Sequence, residues 1–429
     1  MLRNPFRFLE DRQRRHGDVF VSRILGRTTV FLAGIEGAEA FYDAASISRA
    51  DAHPDPIVDL FGGTNMEMYD GPRHRALKEI ALSAFDREAI SGYLPAMQGL
   101  MADRLVDWAA AGEFSATEEL RKLAIEVICL NLLGFRPGPT TERICRDYGR
   151  VLKGIVSPPV AVPGTPYRQA RAARDRLLEL IRGVIAERRA HPTEDGVSRF
   201  LAARASDGRM MTDDEAALEV HHLMIAGFIV YALMAEAMRQ LAEQPGLAVA
   251  CREEVDREVS VTGEDAGVAE GRLPLPALQR LARCTRVVLE TKRFTPVVPL
   301  AFGRAARAFT CGGYRVAEGW RVYLALHLCN FNPAVYRESR RFDPDRFGPE
   351  RAEHEKHPLA FIPQGAGPPT GHQCLGLEYS TCVTLAFLAA LLQGYEWELP
   401  DQDLSYRWNT IPPEPRDGLR MRLRTRSRV

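Results

Sequence analysis

The chain has 429 residues, enough to bury a large core, and its 56 Lys and Arg balance 56 Asp and Glu, which gives no electrostatic case for a nucleic acid or an anionic membrane as partner. No run of 18 or more apolar residues occurs, so no membrane span is expected, and the first eight residues lack the apolar core of a signal peptide. Eight cysteines without paired spacing suit free thiols in a cytoplasmic protein and exclude a C-x-x-C zinc site.

From Asp18 to Leu32 two β-rich runs flank Gly26-Arg27, the pattern of a hairpin. Ile35 to Ala44 reads as a short helix. Arg49 to Thr64, polar and broken by Gly and Pro, reads as a loop able to cover a pocket. Gly71-Pro72 opens a helix that places His74 and Lys78 on one face. Apolar residues then recur at three and four from Leu94 to Leu133 and from Pro166 to Arg189, giving amphipathic helices.

Thr212-Asp-Asp-Glu215 is a capping box, and the helix it opens meets no breaker before Gln244. Such length suits a helix crossing the protein centre. It contains Ile225-Ala226-Gly227-Phe228-Ile229-Val230. A mid-helix glycine costs up to about 1 kcal/mol against Ala, so Gly227 makes room either for something flat or for a helix crossing. His221 and His222 stand about one turn earlier; a buried structural role is the first reading for them, and one of the two facing the pocket is the second. Glu290 and Arg293, three apart beside apolar Val287 to Leu289, can pair on one helix face. Short β-like runs follow at 314–316 and 321–326.

Near the end stands Phe361-Ile-Pro-Gln-Gly-Ala-Gly-Pro-Pro-Thr-Gly-His-Gln-Cys374-Leu-Gly-Leu-Glu378, ahead of an apolar helix over 381–392. Gly and Pro at that density make a loop whose backbone comes close to something flat or bulky. A thiolate there, with a helix N-terminus behind it, is a soft ligand suited to iron. A haem iron held by such a thiolate is primed for O–O cleavage.

Gly371-His372-Gln373-Cys374-Leu375-Gly376 resembles the haem-binding loop of the cytochromes P450. Three upstream features agree with that family in order and distance: His74 with Lys78, Glu290-x-x-Arg293 with Arg346 of Phe342-Asp-Pro-Asp-Arg-Phe347, and Arg304. The resemblance runs from about residue 18 to the end. It implies a mainly α cytochrome P450 fold with a minor β region, as one domain over 1–429. The β-rich portion would lie at about 18–60 and 300–330, with the haem between the central helix 212–244 and the loop 361–378. It further implies heme b on iron-ligating Cys374, propionate contacts from His74, Lys78 and Arg304, and Ala226, Gly227, His372 and Gly376 beside the macrocycle. Glu290, Arg293 and Arg346 would form a structural clamp. Glu67, Tyr69, Ile225, Phe228, Ile229, Val230 and Val298 would line the substrate pocket.

Two departures bear on mechanism. Oxygen-activating members place an acid and a Thr where this chain has Ile229 and Val230, which carry no proton donor. The lengthened Cys374 loop, the 18–26 stretch and Phe41-Tyr42-Asp43 look like the fatty-acid peroxygenase branch, but its Arg-Pro pair is replaced by the same Ile229 and Val230. A fatty-acid substrate is therefore not expected. Glu67 is either a solvated loop residue or, where an apolar pocket raises its pKa, the candidate catalytic acid.

The first functional reading is a haem-thiolate oxidoreductase acting on a small, largely apolar or aromatic metabolite. The alternatives are a haem-thiolate enzyme that cleaves no dioxygen (nitrene-type transfer, dehydration or isomerisation), a peroxide-dependent peroxygenase, and a non-catalytic haem sensor or carrier. A ferredoxin and its reductase are the expected partners of an oxygenase; a peroxide-driven or oxygen-independent enzyme needs none.

Overall fold

The computed structural model describes residues 4–265, 272–295 and 297–427. Helices form its body. Arg87–Ala111, Ala116–Leu133, Asp213–Phe228, Tyr231–Glu243 and Leu377–Gly394 pack on one another and share one large apolar core. The two stretches apolar enough to span a membrane, Asp213–Glu243 and Leu377–Gly394, are mostly buried against these neighbours.

Strands draw the two ends of the chain together. The main sheet has the spatial order Val19–Ile24, Arg27–Leu32, Arg321–Leu324, Ala301–Ala305, Ile47–Ser48. Its first pair is the expected hairpin, with Val19 opposite Leu32. Leu25 and Gly26 turn it with positive φ of 48° and 76°, the geometry that matches the twist of paired strands. Arg27–Leu32 runs parallel to Arg321–Leu324, and the remaining pairings are antiparallel.

Four points of the sequence reading are refined. The central helix is not continuous: it breaks at Ile229 and Val230, where Val230, Ala232 and Leu233 donate to carbonyls three residues back. Two successive β-branched residues hold an α-helix less well than their neighbours. The amphipathic stretch 94–133 is two helices, separated by Gly112 at φ 75° and the strand Glu113–Ser115. The loop read over 49–64 contains the helix Asp55–Leu60, and a helix over Pro5–His16 precedes the hairpin. Finally, a Cβ on Gly227 would meet Ile128 Cγ1 at 2.5 Å. This glycine answers the crossing with Ala116–Leu133, the second of its two readings.

Candidate active site

One internal cavity lies between the central helix and the Cys374 loop, and Cys374 is the one cysteine that lines it among the described residues. The loop is held by its own backbone. Cys374 N–H donates to the Gln364 carbonyl at 2.8 Å, and Gly365 takes φ 79° to make the turn. Gln364 Nε2 reaches back to Cys374 Sγ at 3.5 Å. Behind the cysteine, Lys292 Nζ donates to Leu377 O, Ser380 Oγ and Thr381 Oγ1 at 2.7–3.0 Å, fixing the first turn of Leu377–Gly394. Burial lowers the Lys292 pKa to about 7, with Cys374 opposing that shift.

The helix Gly71–Leu82 turns His74 and Lys78 into the cavity, as its Gly-Pro start requires. His74 Nδ1 donates to the Met66 carbonyl at 2.7 Å, its ring stacks on His372 at 3.9 Å, and its Nε2 is buried with no partner. Lys78 Nζ donates to the Gln373 carbonyl at 2.6 Å. Arg49 is 7% exposed, stacks on Phe41 and Tyr42, and brings a third donor to the same cavity. A sulfur, apolar Ala226, Val230 and Leu233, and these three donors fit an iron macrocycle bearing carboxylate arms.

The expected clamp is fully buried. Arg293 Nε lies 2.6 Å from Glu290 Oε2, and Arg346 Nε lies 3.1 Å from Glu290 Oε1. A fourth member, Glu353, accepts from Arg346 Nη1 at 2.7 Å and pairs with the partly exposed Arg351 at 2.7 Å, so the buried guanidinium groups are not left without carboxylates.

Glu67, Ile229, Val230 and Val298 line the cavity, together with Ala226, Gly227, His372 and Gly376. Four expected residues do not. Arg304 Nε donates to the Ala50 carbonyl at 3.2 Å and lines a separate polar pocket, because its strand faces it away from Cys374. Tyr69 lies outside, under the Arg73 guanidinium. Ile225 and Phe228 point into the helix core, Phe228 against Tyr148 and Tyr231.

Glu67 is in place but carries the opposite charge state to the one expected. Burial would raise its pKa, yet the neighbouring imidazoles of His222 and His53 hold it well below the usual carboxylate range. Nearly half of its side-chain surface faces open space, and that space is the cavity. His222 Nε2 lies 3.2 Å from Glu67 Oε2, and Nδ1 lies 3.9 Å from Glu219 Oε2. Burial alone would lower the His222 pKa; Glu219 and Glu67 outweigh it and raise it to about 10. The proton of this pair therefore sits on the imidazole. The structural reading holds for His221, which contacts the Leu60 carbonyl and the Tyr148 hydroxyl and falls to about 4 through burial. It fails for His222, which lines the cavity. Sequence reasoning also missed Arg49 and Lys292; the single signal for Lys292 was its place inside the Glu290–Arg293 motif.

Comparison with known proteins gives a consistent picture. The cytochrome P450 family profile matches residues 2–414. An abscisic acid 8'-hydroxylase of Solanum lycopersicum, CYP707A1, is 27% identical over 424 residues, covering 98% of this chain and 86% of that one. The structure of retinoic acid-bound cyanobacterial CYP120A1 superposes with a TM-score of 0.88 at 23% identity, covering 99% and 95% of the two chains. Cytochrome P450EX alpha (CYP152N1) with myristic acid superposes with a TM-score of 0.80 at 24% identity, covering 99% and 96% of the two chains.

Proposed function

The chain belongs to the cytochrome P450 family, and from that premise we propose that it is an oxygenase of an apolar small molecule in which the His222–Glu67 pair supplies protons in place of the missing acid–alcohol pair. Members of the family are oxidoreductases that carry heme b on a cysteine thiolate. That group supplies the oxygen-activating chemistry, with the thiolate donating electron density that favours O–O cleavage.

In this chain Cys374 would hold the iron, and Arg49, His74 and Lys78 would hold the carboxylate arms. Leu223, Ala226, Val230 and Val298 keep the cavity wall apolar, which suits a largely apolar substrate and excludes bulk water. The relatives' names point the same way: abscisic acid and retinoic acid are both largely apolar. A ferredoxin and its reductase are the proposed electron donors, and a cytoplasmic location belongs to the same proposal.

One observation carries the reading: the 3.2 Å contact between His222 Nε2 and Glu67 Oε2, on the cavity wall beside two residues that offer no proton. An oxygen-independent reaction needs no proton donor, so the pair favours the oxygenase reading over it. A peroxide-driven reaction is the second reading, favoured by the resemblance in sequence of the lengthened Cys374 loop to the fatty-acid peroxygenase branch.

Three parallel incubations of the haem-loaded protein with a panel of apolar metabolites, followed by mass spectrometry, test the reading. One is anaerobic without reductant, one has dioxygen with a surrogate ferredoxin system, and one has hydrogen peroxide. Product with dioxygen is the expected result. Product in the anaerobic arm would overturn it, and product with peroxide alone would replace it with the second reading.

A further inference from the structure

Glu67 has two imidazole neighbours. His222 stands on the cavity side. On the other side His53 Nε2 lies 3.5 Å from Glu67 Oε1. His53 is 4% exposed, and neither of its ring nitrogens has a hydrogen-bond partner within the protein. Buried polar groups are seldom left in that state, and each one calls for an explanation.

Its surroundings supply one. His53 does not line the Cys374 cavity. It lines the second, open pocket, together with Asp51, Asp55, Arg304 and Arg321. Its ring packs on Phe302 at 4.8 Å, and Phe302 does line the cavity. His53 is thus set in the wall between a polar, solvent-facing pocket and the reaction cavity. Arg321 Nη2 donates to the His53 carbonyl at 3.4 Å, and Asp51 holds a left-handed φ of 55° two residues earlier, so the position is braced. No three His, Cys, Asp or Glu side chains converge on a metal geometry among the described residues, so the trio is not a metal site.

We propose that His53, Glu67 and His222 form a proton path from the polar pocket to the reaction cavity, with His53 at its outer end. The inference rests on the oxygenase reading. At rest Glu67 is the carboxylate and His222 the imidazolium. The Nε2 proton of His222 passes to Glu67 Oε2 and leaves for the cavity that Glu67 faces, while the Nδ1 proton stays on the Glu219 side. His53 Nε2 then gives its proton to Glu67 Oε1 as His53 Nδ1 takes one from the polar-pocket side, the carboxyl group turns to return that proton to His222 Nε2, and the His53 ring flips to reset. One proton crosses per passage, no electron moves, and the three side chains return to their starting charges.

The test uses the haem-loaded protein and three variants, His53→Phe, Glu67→Gln and His222→Leu. Product formed per electron consumed is followed in water and in deuterium oxide, and substrate binding is read from the haem spin-state change. A general acid–base group is worth about 10²–10⁴ in rate, and an outer relay member that water can partly bypass about tenfold. His53→Phe is therefore expected to lower coupling about tenfold and enlarge the solvent isotope effect, with binding unchanged. Normal coupling in His53→Phe, alongside uncoupled Glu67→Gln and His222→Leu, overturns the path and leaves the oxygenase reading intact. Normal coupling in all three overturns the path together with the proton role of the His222–Glu67 pair, whereas no product from the wild type under dioxygen overturns the oxygenase reading itself. A second readout needs no turnover. In the diamagnetic ferrous carbonyl form, labelled with [¹⁵N]histidine, His222→Leu is expected to shift the His53 ring-nitrogen signals while Glu67 is present and to leave them in place in a Glu67→Gln background. His53 signals that do not respond to His222→Leu with Glu67 present overturn the path even if His53→Phe does not fold.

Discussion

His222 Nε2 and Glu67 Oε2 stand 3.2 Å apart on the wall of the Cys374 cavity, although the two residues come from opposite halves of the protein. The central helix carries His222 one turn ahead of Ala226, and the 3-10 turn Met66–Met68 carries Glu67 to meet it. Met66 N–H donates to Glu219 Oε1 at 2.6 Å, so the same helix that bears His222 also anchors the turn that bears Glu67. The pair is built as a unit.

Its titration has a sign. His222 rises from 6.5 to about 10 in the fold, so its contribution to stability is complete below pH 6.5 and is lost as pH climbs through 10. Glu67 and Glu219 face it with negative charge, and Arg49 and Lys78 face Glu67 with positive charge. The difference in melting temperature between wild type and His222→Leu is expected to shrink between pH 6.5 and 10. Lys292 titrates in the same window with the opposite sign and cancels in that difference. A difference that is constant with pH would show that His222 is not charged in the fold.

Removing the clamp carboxylate should leave Arg293 and Arg346 buried with one partner lost. Breaking a buried pair costs about 3–5 kcal/mol. Glu290→Gln is expected to lower the yield of haem-loaded protein and its melting temperature sharply, whereas Arg14→Ala, at an exposed pair with Asp11, should change neither. Equal melting temperatures for the two variants would deny the clamp a structural role.

The positions of Arg49 and Arg304 predict opposite behaviour. A hydrogen bond to a charged group is worth about 1.5–3 kcal/mol, or roughly ten- to a hundredfold in affinity. Arg49→Leu is expected to speed haem transfer to apomyoglobin by about that factor, and Arg304→Leu to leave it unchanged. The reverse order would return Arg304 to the cofactor site.

Cys374→Ser keeps the loop's backbone bonds and replaces the sulfur. The reduced variant is expected to lose the thiolate-type carbonyl spectrum. Its survival would move the iron ligand away from Cys374.

Much of this architecture is legible in short sequence spans. The Cys374 loop, the Glu290–Arg293 pair and the His74–Lys78 face each depend on local spacing, and each stands where its spacing put it. The features that escaped depend on distant partners. A carboxylate in an apolar pocket is expected to hold its proton, and only the arrival of His222 and His53 from elsewhere reverses that for Glu67. Arg49 was read as part of a loop because nothing in its neighbourhood shows that Phe41 will carry its guanidinium. Arg304 matched a family spacing, but strand pairing with Arg321 and Ser48 turned its side chain outward. The break at Ile229 and Val230 has no proline or glycine to announce it.

The most direct measurement is the number of product molecules formed per electron consumed under dioxygen, in the wild type and in Glu67→Gln and His222→Leu. The account predicts that both variants keep the substrate-induced spin-state change and lose on the order of a hundredfold in coupling, with electrons diverted to peroxide. Coupling that matches the wild type in both variants would contradict it and return the source of the proton to the substrate or to water.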